Sequence, residues 1–367
     1  MALLKKKNHT NFILGMILGV GTALGLVAGQ WEEIPYYWQG AKGQWEILSH
    51  SRPILEVLED PAVTPKEKER LKVVLQAQAV AISEMDYPDD IGYTTYAKLD
   101  RPQVSWVVVA SHPLAIKAYL RCYPVLGCLS YRGYFKREEA EAFARELDSK
   151  GYDTFIRPVQ AYSTLGWFED PVVSPMLEGS ALDLVRTVIH EQGHRIVFAP
   201  GDTNFNESFA SFLELEGTRR YLNRLNDPRM KNRLAAQVAD EQRFQAILER
   251  GRAKLISLYA ADLGVDEKRS AKQQIFREMV QDYQNQKKYF KVWVPAGWFK
   301  GGMNNAHLVA LGQYTTYVQA FAALLKECGG DFPRFYIAAQ KLAQAPPDQR
   351  AARLDLLNTS QTTAHDG

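Results

Sequence analysis

The chain is expected to be α+β: a small mixed or antiparallel sheet, then a mostly helical portion, behind an N-terminal membrane or signal helix. Three observations predict this. Residues 95–170 interleave β-rich runs with one helical stretch. From Ser180 onward, apolar residues recur at helical spacing. At the start, Lys5, Lys6 and Lys7 precede an uncharged run over 12–29. Apolar residues make up 46% and charged residues 23%, which excludes a disordered chain, a collagen and a multi-span membrane protein. With 44 Lys plus Arg against 42 Asp plus Glu the formal charge is +2, and there is no electrostatic case for nucleic acid. A length of 367 residues suits one large domain or two small ones.

Each element follows in order. The 18-residue run over 12–29, as a helix, would reach about 27 Å, close to the hydrocarbon thickness of a bilayer. A basic flank followed by an apolar run is the layout of a signal peptide or signal anchor, so 1–30 is assigned that role. The lysines should stay in the cytoplasm and send the rest outward. The small residues Val27, Ala28 and Gly29 would suit cleavage, and a buried core helix is the alternative. No Cys follows the run, so no lipid is attached there. In an oxidising compartment Cys122 and Cys128, with Pro124 and Gly127 between them, would bridge; two buried free thiols are the alternative. Cys328 has no evident partner.

Residues 31–60 are rich in aromatics (Trp31, Tyr36, Tyr37, Trp38, Trp45), for a surface or for packing on the core. Thr64-Pro65-Lys66-Glu67 is a capping box with Pro at the first helical position, starting a helix that runs to about Met85. Strands are expected over 104–110, 129–135 and 153–161, with a helix over 136–150 stopped by Gly151. Residues 31–175 thus form an N-terminal α+β part. Ser180 to Asp183 is a second cap signal, and helices are expected over 181–197, 204–224, 229–262, 267–290, 305–326 and 332–343. The highly charged 229–290 stretch suits solvated helices in a long hairpin. Residues 176–343 form the helical part, and the tail over 344–367 should fray.

His190-Glu191-Gln192-Gly193-His194 is an H-E-x-x-H run. On a helix, residues four apart share a face, so both imidazoles can hold one ion while Glu191 reaches water beside it. Two His holding zinc with Glu as general base is the arrangement of zinc hydrolases. Leu184, Val185, Val188, Ile189, Ile196 and Val197 supply the buried helix that the motif requires. Pro200, Gly201 and Asp202 should turn the chain, and a second helix begins near Asn204. His194 lies about one turn before that corner and Glu207 about one turn after it, so Glu207 is at the height to complete a His₂Glu site with one open position. Ser211 and Glu214 share the face of Glu207. They, or Asp202, would hold the ligating imidazoles; a solvated helix face is the alternative for Glu214 and Glu216. An oxyanion donor besides the metal is sought in His307 and Tyr314, for which a satisfied surface or core residue is the alternative. The 162–167 stretch is either an edge strand that pairs with an extended peptide or a plain core strand.

These residues resemble the bacterial family of predicted aminopeptidases. The resemblance includes H-E-x-x-H, the stretch from Gly201 to Ala210 (GDTNFNESFA), Ala161 to Pro171 (AYSTLGWFEDP), Cys122 to Cys128 (CYPVLGC), Ser130 to Phe135 (SYRGYF), and Asn304-Asn305-Ala306 with Tyr314. It spans roughly 90–325. It implies a zincin-like helical portion and a gluzincin-like zinc peptidase with one zinc ion on His190, His194 and Glu207, and Glu191 as base. A peptide or protein would be the substrate. The protein would be anchored in the inner membrane facing the periplasm, or released there if the leader is cut. The Gly-x-Met-Glu-Asn run of well-studied zinc aminopeptidases is not found before His190; Gly302-Met303-Asn304-Asn305 follows the helix and lacks the Glu. Two rivals stand beside the aminopeptidase: an endopeptidase that processes envelope proteins, and a non-catalytic envelope interaction protein with a structural zinc.

Overall fold

A computed structural model of the chain describes residues 33–123, 127–161, 170–299, 302–312 and 317–362. The 12–29 run, the 162–167 stretch and Tyr314 lie outside these. Among the described residues no helix is long and apolar enough to cross a membrane.

Helices dominate, and the sheets are small, as the α+β expectation requires. The aromatic stretch after the leader is a helix, α1 (Ile34–Ser49), which the sequence reading left unassigned. A short strand β1 (Ser51–Pro53) and helix α2 (Ile54–Glu59) follow. The capping box forms: the Thr64 hydroxyl accepts from the Glu67 N–H and opens α3 (Pro65–Met85). Strand β2 (Thr95–Ala97) pairs antiparallel with β1 and parallel with β8 (Val172–Val173), so this three-stranded sheet is mixed.

The second sheet is antiparallel, in the order β6-β3-β7. Its centre is β3 (Ser105–Ser111), flanked by β6 (Tyr131–Tyr134) and β7 (Asp153–Val159). Val108 stands opposite Arg132 on one side and Ile156 on the other. Strand alternation sends Val108 into a cluster with Ala140 and Ala144 of α4 (Arg137–Ser149). Its neighbour Val109 joins Ala306, Val309 and Ala310 of α9 (Asn305–Gly312) on the opposite face. The expected 129–135 strand is divided: β5 (Gly127–Leu129) pairs with β4 (Arg121–Tyr123) in a separate hairpin, and Ser130 separates it from β6. Cys122 and Cys128 face each other in that hairpin and are joined as a disulfide.

The helical part centres on α5 (Ala181–Ile196) and α6 (Thr203–Leu225). A Cβ on Gly193 would lie 3.2 Å from the Ala210 Cα, so the glycine permits the close approach of these helices. Phe205 and Phe209 of α6 enter a buried aromatic cluster with Phe321 of α10 (Val318–Glu327) and Phe335 of α11 (Phe332–Gln344). The long pair α7 (Pro228–Ala260) and α8 (Val265–Gln286) has a core of its own around Phe244, Ile247, Met279 and Tyr283, which a purely solvated hairpin would lack.

Two further expectations are corrected. The 305–326 helix is two shorter ones, α9 and α10, on either side of the undescribed 313–316. The tail does not simply fray: Pro347 opens α12 (Pro347–Thr362), and Leu354 and Leu357 are buried in the main core. Apolar burial and the Arg350–Asp202 ion pair hold this helix against the body.

Candidate metal centre

Helix α5 begins at a capping box in which the Ser180 hydroxyl accepts from the Asp183 N–H and Asp183 reaches back to the Ser180 N–H. It ends at Ile196 because Val197 is extended. The turn that follows is clamped from α6. The Asn206 side-chain oxygen accepts from the Ala199 N–H at 2.7 Å, and its amide donates to the Ala199 carbonyl at 2.9 Å. Gly201 takes φ +78, a conformation that glycine adopts without Cβ strain. Asp202 caps α6 by accepting from the Phe205 N–H, and it pairs with Arg350. The carboxylate next to Asn206 is thereby set opposite the last turns of α5.

The result is a three-residue cluster. His190 Nε2 lies 3.4 Å from Glu207 Oε2, and His194 Nε2 lies 3.8 Å from Glu207 Oε1. One ligand atom from each of the three falls within 4.8 Å of the other two. The two rings stand nearly perpendicular, 4.9 Å apart, as i and i+4 side chains converging on a common point do. The donors suit a borderline-soft divalent cation: two imidazole nitrogens and one carboxylate.

Further groups prepare those donors. His190 donates its Nδ1–H to Glu214 at 3.0 Å, which turns Nε2 toward Glu207. Arg186, one turn before His190, donates from Nε to Glu214 at 2.5 Å and from its other nitrogens to Glu241 on α7. Burial alone would raise the Glu214 pKa, but Arg186 and His190 hold it down at about 2. Burial lowers the His194 pKa to about 4, so that ring is neutral and offers a lone pair. For His190, burial also pulls downward, but Glu207 and Glu214 outweigh it and hold the pKa well above normal. Burial opposes ionisation of Glu207 as well, yet the two imidazoles keep its pKa below normal. The cluster therefore favours positive charge at its centre, and a cation entering it displaces a proton. These observations fit a bound metal ion.

Glu191 does not join the cluster's ligand group. Burial raises its pKa to about 7, with the negative charges of Glu207 and Asp170 adding to the effect. It lines a cavity of about 880 Å³ together with His190, His194 and Glu207, a size suited to a ligand site. Tyr36 of α1, Tyr131 of β6 and Arg157 of β7 also line it. The cleft is thus built by the α+β part and the helical part together.

The remaining site candidates are dispersed. Ser211 lies on α6 one turn beyond Glu207. Asp202 is engaged as a cap and with Arg350, not with either imidazole. Glu216 pairs with Arg220 along its own helix. Tyr314 and the 162–167 stretch lie outside the described residues. His307 sits outside the cavity lining, its ring centroid 4.0 Å from that of Phe155 and tilted 31° to it, with the Asn304 backbone N–H donating to its Nδ1.

His307 carries a pH prediction. Burial depresses its pKa to about 4. The unfolded chain binds that proton below roughly pH 6.5, while the folded chain resists it. The resulting stability is complete above the unfolded pKa and is lost as pH falls toward the folded one. A shift of this size is worth roughly 3 kcal/mol. Denaturant unfolding of wild type and His307→Gln at neutral pH and near pH 4 should show wild type losing about that much more. An equal loss in both chains would contradict the assignment.

Arg157, Arg186 and Glu241 were not singled out from the sequence. Arg186 had a visible signal, since it is four residues before His190 on the same face of α5. Arg157 and Glu241 had none, because tertiary packing alone brings β7 and α7 to the cleft.

A family model described as "Putative aminopeptidase" matches residues 35–354, from α1 into α12. No curated protein and no solved structure matches the chain.

Proposed function

Since the chain belongs to that aminopeptidase family, we propose that it is a zinc peptidase that removes residues from the amino end of peptides, exported and held at the membrane by its N-terminal run. The observation that carries the metal reading is the convergence of His190, His194 and Glu207 beside Glu191 on the wall of one cleft. A zinc ion on those three donors supplies Lewis acidity, polarising a carbonyl and acidifying water.

The chain's own residues do the rest. Glu191, with a pKa near neutrality, takes the proton of the attacking water and returns it to the leaving amine. Glu214 fixes the tautomer and direction of His190, and Arg186 keeps Glu214 ionised. The aromatic wall of Tyr36 and Tyr131 offers apolar surface to substrate side chains. Asp183 and Glu241 line the same cavity, Asp183 held at the α5 cap and Glu241 paired with Arg186, and the preference for the amino end is carried by the family match. Three ligating side chains, with no fourth among the described residues, favour an open catalytic site over a closed structural one.

Cleavage of paired peptides that differ only in an amino-terminal acetyl group tests this reading. The free-amine peptide should be shortened from its amino end, and the acetylated one spared. A zinc chelator should stop the reaction and added zinc restore it. Equal cleavage of both peptides at internal bonds would establish the endopeptidase instead.

A further inference from the structure

Helix α1 has two faces with different tasks. One lines the cleft with Tyr36, Tyr37 and Ala41. The other points away from the body and carries Ile34, Trp38, Lys42, Trp45 and Ser49, spaced at four, four, three and four residues along a single stripe. Trp38 is 66% exposed and Trp45 47% exposed. Two large aromatics flanking a lysine on one open helix face are unusual for a surface in contact with water alone. They are the side chains that settle at a membrane interface, where rings sit among headgroups and lysine meets anionic lipid.

The chain also limits where this stripe can be. The uncharged 12–29 run ends four residues before α1 opens, with only Gln30, Trp31, Glu32 and Glu33 between them. Four extended residues reach at most about 14 Å. The opening of α1 is pinned to the body: Arg132 donates to Glu33 at 2.7 Å, Arg121 pairs with the same carboxylate, and the Arg132 guanidinium lies 3.8 Å over the Tyr36 ring. The stripe is therefore rigid with respect to the cleft and close to whatever the run enters.

We propose that the Ile34, Trp38, Lys42 and Trp45 face of α1 rests in the headgroup layer of the bilayer that holds the N-terminal run, with anionic phospholipid as its partner. This rests on the proposed membrane location of that run. It fixes the orientation of the whole molecule on the membrane, with Tyr37 and Ala41 placing the cleft rim beside the lipid surface.

The test uses the full chain in vesicles of equal parts phosphatidylcholine and phosphatidylglycerol, with bromine carried near the top of one acyl chain. Wild type is compared with the Trp38→Phe/Trp45→Phe variant, whose substitutions lie on the open face and keep ring character. Flotation with the vesicles reports the run, and bromine quenching of tryptophan fluorescence reports the stripe. Both chains should float, and the quenched signal should fall at least about twofold in the variant. Flotation with equal quenching in both would overturn the proposal and leave the anchor standing, with the stripe in water or under protein, a second copy included. Failure to float would overturn both.

Discussion

Glu191→Gln should lower kcat by about 10²–10⁴-fold while leaving the metal bound. The amide matches the carboxylate in size and still lines the cleft, but it cannot accept the water proton. The candidate ligand group is His190, His194 and Glu207, without Glu191, so metal content should stay at the wild-type level. The burial that raises the Glu191 pKa to about 7 makes it a base matched to neutral pH, and it makes a neutral amide easy to accommodate. Parallel kcat and metal measurements decide the matter. Hydrolysis at the wild-type rate would remove Glu191 from the mechanism, and loss of metal would make it a ligand.

The second large effect is expected at Glu207. In Glu207→Ala the two imidazoles keep their places on α5, but the carboxylate that holds positive charge between them is gone. Metal affinity should fall by more than the roughly 10–100-fold that loss of an outer partner such as Glu214 brings. Activity should disappear with the metal. The folded core should persist, because Phe205 and Phe209 on the same helix are buried on another face. Equilibrium dialysis against zinc, with circular dichroism to confirm the helices, checks this. Unchanged affinity would show that the third ligand is elsewhere.

Much of this site was legible in the residues because it is local. Two histidines four apart, a capping box ahead of them, a Pro-Gly-Asp turn and an Asn-Glu pair just beyond it place three donors through helix geometry alone. Glu214 shares that spacing, but its sequence context slightly favours a solvated face, and only the folded contacts with Arg186 and His190 enclose it. Arg186 escaped notice although it lies one turn from His190, while the other two groups come from afar. Arg157 reaches the cleft from the middle of β7, and Glu241 reaches it from α7, and neither carries a periodic signal that points to His190. Helix α1 was hidden by its aromatics, which suit a strand as well as a helix and cover both its faces. Helix α12 was hidden by the polar composition around Leu354 and Leu357, two residues that suffice to bury one side of it. The mixed sheet could be anticipated only loosely, since β1 and β8 are three and two residues long and owe their pairing to β2.

The most direct test is an anomalous-difference map from crystals of the zinc-loaded protein, collected on both sides of the zinc absorption edge. One peak should appear within about 2.0–2.2 Å of His190 Nε2, His194 Nε2 and a Glu207 oxygen, with a remaining position open to the cleft. A peak elsewhere, or a fourth side chain closing that position, would contradict the account.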